Sequence, residues 1–126
     1  MDKIYHRKLL ERAIGERVSP RALEVIIAAN LGQDALSGLI GHPEYHFDDN
    51  AFEAGHAYIQ EQRALVLQVV RDDRPIEDAW RAFGRLTHAA QDFYAHSNYV
   101  TLWTSRLTPD MPPEIAPLDE SLLSSP

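Results

Sequence analysis

His88, Asp92 and His96 stand four residues apart in the segment Leu86-Thr87-His88-Ala89-Ala90-Gln91-Asp92-Phe93-Tyr94-Ala95-His96-Ser97-Asn98. On an α-helix, at about 100° per residue, they form one stripe that precesses by about 40° per step. Two imidazoles and a carboxylate on one face can serve as ligands to a divalent metal, or as a half-buried polar stripe bonded to neighbouring helices. Gly84, one turn earlier, leaves that stripe bare, so another backbone or a cation can come close.

Cysteine is absent, which removes disulfides and thiolate metal sites together. A metal must then be held by His, Asp, Glu or backbone groups, and this favours zinc or another borderline-to-hard divalent cation. The formal charge of −7 argues against a basic nucleic-acid-binding surface. It leaves a phosphate ester open as substrate, because each bound divalent cation offsets about two charges locally and can itself bind phosphate.

The elements that must position these groups are helices. Ile4 to Ile14 reads as a first helix with Leu9, Leu10 and Ala13 on its apolar side, and His6 in its first turn is more often an exposed residue than a ligand. Ser19-Pro20 is an N-cap followed by proline at the first helical position, opening a helix whose core face is Leu23, Ile26, Ile27 and Leu31. A short further helix is expected over 33–40, and Gly41-His42-Pro43 breaks the chain. Glu44 to Asn50 is a loop dense in ligand-capable groups, in which Asp48, Asp49 or Asn50 is expected to cap the next helix.

Ala51 to Arg71 reads as a long helix with Phe52, Ile59, Val66 and Val70 inward, and His56 with them. Pro75 to Asn98 is the helix of the opening motif, burying Ile76, Ala79, Trp80, Phe83, Leu86 and Ala90. A short helix follows over 99–107. The expected architecture is all-α, a single helical metal-binding domain of four or five helices over 1–107, with a loosely packed Pro/Ser-rich tail over 108–126. No apolar run reaches eighteen residues, so no membrane-spanning helix is expected. The first ten residues lack the features of a signal peptide, so the chain as written is expected in the cytoplasm, or secreted where a leader has been removed.

An inward His56 on a helix capped by an acidic loop, packed antiparallel to the His88 helix, brings Asp49, His56, His88 and Asp92 to one place. Two imidazoles and two carboxylates make a reasonable divalent-metal shell, and burying them without a metal costs several kcal/mol in desolvation (about 2 or more per ion).

His46-Phe47-Asp48-Asp49, then His56, then Leu86 to Asn98 with its QDFYAHSN run, resemble the zinc-dependent phospholipase C and single-strand-nuclease superfamily, and within it the heterokaryon-incompatibility (Het-C) type branch. Ile4-Tyr5-His6 is similar to the family's early histidine, and the resemblance covers roughly residues 4 to 103. It implies an all-α enzyme with up to three zinc ions. Asp49, or Asp48 in the alternative register, His56, His88 and Asp92 would hold a first metal. Asp92 would bridge to a second metal shared with His6 and the N-terminal region, and His96 would start a third site. The family's third site also takes a later histidine and a glutamate; this chain has no histidine after His96, and Glu114 or Glu120 could substitute. One to three zinc ions are implied, two being the expected number, with another divalent metal as the alternative.

The function expected on this reading is metal-dependent phosphodiester or phospholipid hydrolysis through a metal-activated water, with Asp92 bridging and the free carboxylate of the Asp48–Asp49 pair orienting the nucleophile. Small phosphate esters, lipid head groups and single-stranded nucleic acid are the substrate classes that fit. The competing expectation is a non-catalytic module in which one closed metal site staples two helices.

Overall fold

The computed structural model describes residues 1–35, 38, 40–107 and 119–122, and every regular element among them is helical. Helix α1 spans Lys3–Ile14, α2 Pro20–Gly32, α3 Pro43–His46, α4 Phe52–Arg71, α5 Ile76–His96 and α6 Tyr99–Ser105. Two 3₁₀ turns cover Asp48–Asn50 and Glu120–Leu122. The helix expected over 33–40 includes residues 36, 37 and 39, which lie outside the described residues.

The helix starts follow local chemistry. Asp2 Oδ1 accepts from the Ile4 amide at 3.1 Å, and Ser19 Oγ accepts from the Ala22 amide at 3.2 Å. Each satisfies one of the amides that a first turn leaves without a partner. No side chain caps α4, contrary to expectation. Asn50 instead turns its Oδ1 to the Asn98 amide at 3.2 Å and serves the start of α6.

Helix α5 is the central element, packed on α2 along one side and on α4 along another, while α1 lies on α2 and α3 reaches both α4 and α5. The α2–α5 approach is close because of Gly84. A Cβ there would stand 2.8 Å from Ala29 Cβ and nearer still to the Ile26 carbonyl oxygen, so only glycine lets the two backbones meet this way.

Two apolar clusters result. Leu10, Ile26 and Ile27 pack with Trp80 and Phe83, and Phe47, Tyr58, Ala89, Phe93, Tyr99 and Leu122 form the second. A fully buried Ile or Leu in such clusters contributes roughly 1.5–3 kcal/mol.

The inward face of α4 differs from the hydrophobic pattern. Gly55, Tyr58, Gln62 and Val69 are buried, whereas Val70 and His56 are exposed. Phe47 is the cause: its ring lies over Gly55, where a Cβ would come within 2.6 to 2.8 Å of it. The Tyr58 hydroxyl is held by Gln33 Nε2 at 2.8 Å in the buried interior, and burial pushes its pKa up to about 12. Helix α4 is thus turned so that Gly55, Tyr58, Gln62 and Val69, rather than Val70, meet the core.

Helix α5 likewise buries Ala79, Ala82, Gly84, His88, Ala89, Asp92 and Phe93, and leaves Ile76 exposed. Of the expected tail, residues 108–118 and 123–126 lie outside the described residues. Leu122 is buried, and the Asp119 amide donates to the Tyr99 hydroxyl at 2.9 Å. No helix among the described residues is long and apolar enough to cross a membrane.

Candidate metal centre

The carboxylate of Asp92 is wholly buried and ringed by nitrogen atoms. On its Oδ2 side stand His46 Nδ1 at 2.9 Å and His88 Nε2 at 3.0 Å. On its Oδ1 side stand the Met1 amino group at 3.0 Å, His6 Nε2 at 3.3 Å and His96 Nε2 at 3.7 Å. Asp34 Oδ1 approaches His88 Nε2 at 3.6 Å. One ligand atom each from His6, Asp34, His88 and Asp92 lies within 4.8 Å of the others. Tetrahedral N and O ligands at about 2.0–2.2 Å from a zinc ion stand about 3.3–3.6 Å apart, so the group would draw inward to hold one.

Five segments supply these groups. The four-residue spacing on α5 points His88 and Asp92 inward and leaves His96 at the rim, where its Nδ1 donates to Asp48 Oδ1 at 2.9 Å. Helix α1 delivers His6, which is fully buried rather than exposed as its first-turn position suggests. Its ring stacks on that of His88 with centroids 4.3 Å apart. Asp34 comes from the turn after α2.

His46 ends α3 and is followed by a strained loop in which Phe47, Asp49 and Asn50 all have φ of 53° to 55°. A left-handed phenylalanine is unfavourable by about 1–2 kcal/mol, and burial of its ring under α4 offsets this. The loop thereby turns His46 and Phe47 inward and leaves Asp48 beside His96.

Of the residues expected at the site, the fold brings His6, His88 and Asp92 together, with His96 and Asp48 at the edge. His56 and Asp49 make no contact with the cluster among the described residues. His56 follows Gly55 by about 100° on α4, and that rotation carries it out of the core. It lines an apolar cavity of about 220 Å³ with Phe47, Phe52, Ile59, Ala90, Phe93 and Tyr94. Asp49 is exposed because its left-handed backbone points it outward from the loop. The residues missing from the expectation are His46 and Asp34. His46 opens the H-F-D-D run and had a signal there. Asp34 had none beyond its place after the end of α2.

The family model described as the VWA7 N-terminal domain matches residues 2–117. The chain belongs to the VWA7 N-terminal domain family. Neither a curated protein nor a solved structure matches it. Within this VWA7 N-terminal domain the matched range takes in every side chain of the cluster, from His6 to His96, but not Met1.

The electrostatics of the VWA7 N-terminal domain centre on Asp92. Burial pushes its pKa up, but hydrogen bonds from His46 and the terminal amine, with the His6 and His88 rings close by, outweigh that and hold the carboxyl far below the usual range. His46 is raised, first by its hydrogen bond to Asp92. His6 is also raised: burial lowers it, and the nearby Asp92 carboxylate together with its hydrogen bond to Gln91 more than compensates. His88 is lowered, because burial outweighs its attraction to Asp92.

His6 Nε2, His46 Nε2 and His88 Nδ1 are buried without a hydrogen-bond partner. Buried imidazole nitrogens of this kind are costly unless something binds them. His6 Nε2 is the telling one, since it faces Asp92. Neutral imidazoles and carboxylates converging on one buried point fit a divalent cation.

Proposed function

We propose that this domain binds divalent metal, zinc foremost, around Asp92, and that it hydrolyses a phosphate ester there. The observation that carries the reading is the division of the Asp92 oxygens between two sets of nitrogens, His46 and His88 on Oδ2, His6 and His96 on Oδ1. A carboxylate placed between two such sets could be shared by two ions, as a two-metal site needs. His88 and Asp34, with His6 or His46, would hold one ion, and the remaining imidazole beside Asp92 would serve a second. Bound divalent ions supply Lewis acidity toward a phosphoryl oxygen and lower the pKa of a water.

The chain's own groups supply access and proton handling. Asp48 holds His96 through Nδ1, and His96 Nε2 lies 2.7 Å from the Met1 amino group and 3.7 Å from Asp92 at a partly open edge of the cluster. There it can pass a proton to a leaving-group oxygen. The resemblance of the QDFYAHSN run to zinc phospholipases and nucleases supports the same reaction class.

One observation favours the second reading, a closed structural site. His6, His46, His88 and Asp92 are all 0–1% exposed, as the ligands of a helix-stapling ion would be. The deciding experiment offers zinc-loaded protein bis(p-nitrophenyl) phosphate, a short-chain phosphatidylcholine and a single-stranded oligonucleotide. Hydrolysis of at least one, abolished by chelation and by His96→Ala with metal content retained, is the expected result. Full metal occupancy with none of the three cleaved favours the staple.

A further inference from the structure

We infer that Gln91 is a positioning residue that fixes the tautomer of His6 and leaves its Nε2 bare for a cation; the inference rests on the metal reading above. It follows from a chain of hydrogen bonds whose direction is set at one end. The carbonyl of Gly84 can only accept, so the Thr87 hydroxyl donates to it, at 2.9 Å. Having spent its hydrogen there, Thr87 Oγ1 must accept from Asn30, whose Nδ2 lies 3.2 Å away. That nitrogen also donates to Gln91 Oε1 at 3.1 Å.

The Gln91 amide is therefore turned with its oxygen toward Asn30, and its nitrogen meets the His6 carbonyl at 3.4 Å. The reversed amide would set donor against donor and acceptor against acceptor. His6 Nδ1 stands 2.5 Å from the same Gln91 oxygen. A carbonyl oxygen cannot donate, so Nδ1 carries the hydrogen. The lone pair of the neutral ring is then on Nε2, buried without a hydrogen-bond partner and 3.3 Å from Asp92 Oδ1.

A metal-binding histidine whose other nitrogen donates to a fixed acceptor has its tautomer and ring orientation chosen in advance. Asn30, wholly buried on α2, extends that control to the helix packed at Gly84. The arrangement joins the close α2–α5 contact at Gly84 to the orientation of one imidazole.

Three proteins test this: wild type, Gln91→Met and Gln91→Glu. Each is stripped of metal and titrated with zinc against a chelating dye, with melting of the metal-free forms as the control for folding. Gln91→Met should weaken zinc binding by roughly 10- to 100-fold. Gln91→Glu should recover to within a few fold, because its carboxylate still accepts from His6 Nδ1 and Asn30. A folded Gln91→Met with wild-type zinc affinity overturns the inference.

The ring nitrogens of His6, read by ¹⁵N NMR on metal-free wild type at about pH 9, above the ordinary histidine range, give a test that needs neither the variant nor the metal. Hydrogen on Nδ1 upholds the inference, and hydrogen on Nε2 overturns it. Wild type that takes no zinc defeats the metal reading alone, and the His6 tautomer still decides the role of Gln91.

Discussion

His46 Nδ1 and His88 Nε2 lie 3.1 Å apart, and both face Oδ2 of the same carboxylate, Asp92. If both nitrogens carry hydrogens these collide, and if neither does, two lone pairs face an anion. A metal-free protein therefore places one proton between them. A cation satisfies both nitrogens and the oxygen at once. The conflict is built into the fold, since the two rings come from α3 and α5.

The pH dependence of stability should differ with and without metal. His46 and His6 have folded pKa values above the ordinary 6.5, so their contribution is complete below 6.5 and is lost as pH rises through the raised values. His88 lies below 6.5, so its contribution is complete above 6.5 and is lost as pH falls through the lowered value. Asp92 is held so low that its share persists to strongly acid pH. Metal-free protein should therefore melt highest near the ordinary histidine pKa. With zinc present the optimum should move to higher pH, because metal competes with protons for the imidazoles. Melting curves between pH 5 and 9, in zinc and in chelator, check this. A common optimum would count against the site.

His46 and His56 should behave oppositely on substitution. His46→Ala removes a buried partner of Asp92 and should lower zinc affinity by at least about tenfold, in the range of ligand-shell losses. His56→Ala removes an exposed ring from the rim of an apolar cavity, and should leave zinc affinity unchanged and stability within about 0.5 kcal/mol. Zinc titration of the two variants decides, and equal losses would return His56 to the metal shell.

Gly84 and Gly32 offer a matched pair. At Gly84 a methyl group would meet Ala29 and the Ile26 carbonyl, while at Gly32 it would meet nothing within 4 Å. Gly84→Ala should cost about 1–3 kcal/mol by overpacking. Gly32→Ala should be neutral, or stabilising by up to about 1 kcal/mol through helix propensity. Denaturant unfolding of both variants measures the difference. Equal stabilities would mean that α2 and α5 do not meet at Gly84.

The helices were legible because their punctuation is local. Ser19-Pro20 opens α2, and Pro75 stands immediately before α5. The four-residue spacing of His88, Asp92 and His96 was enough to mark them as one stripe, and Gly84 as a place of close approach.

What could not be read was the turn of α4 about its own axis. Periodicity selected Val70 and His56 as inward, whereas the Phe47 ring selects Gly55, and no hydrophobic pattern marks a glycine as buried. His46 and Asp34 lie outside long helices, so their direction depends on loop geometry such as the left-handed Phe47. His6 looked like an ordinary first-turn residue because its partners, Gln91 and Asp92, are more than eighty positions away.

The central claim is that Asp92 anchors a divalent-metal centre, and metal content per chain tests it most directly. Elemental analysis after dialysis against zinc, on protein prepared without a histidine tag, should give two equivalents for wild type. Asp92→Asn should bind one at most, because the neutral amide offers a single ligand oxygen where the carboxylate offers two. No metal on folded wild-type protein, or undiminished metal on folded Asp92→Asn, would contradict the account.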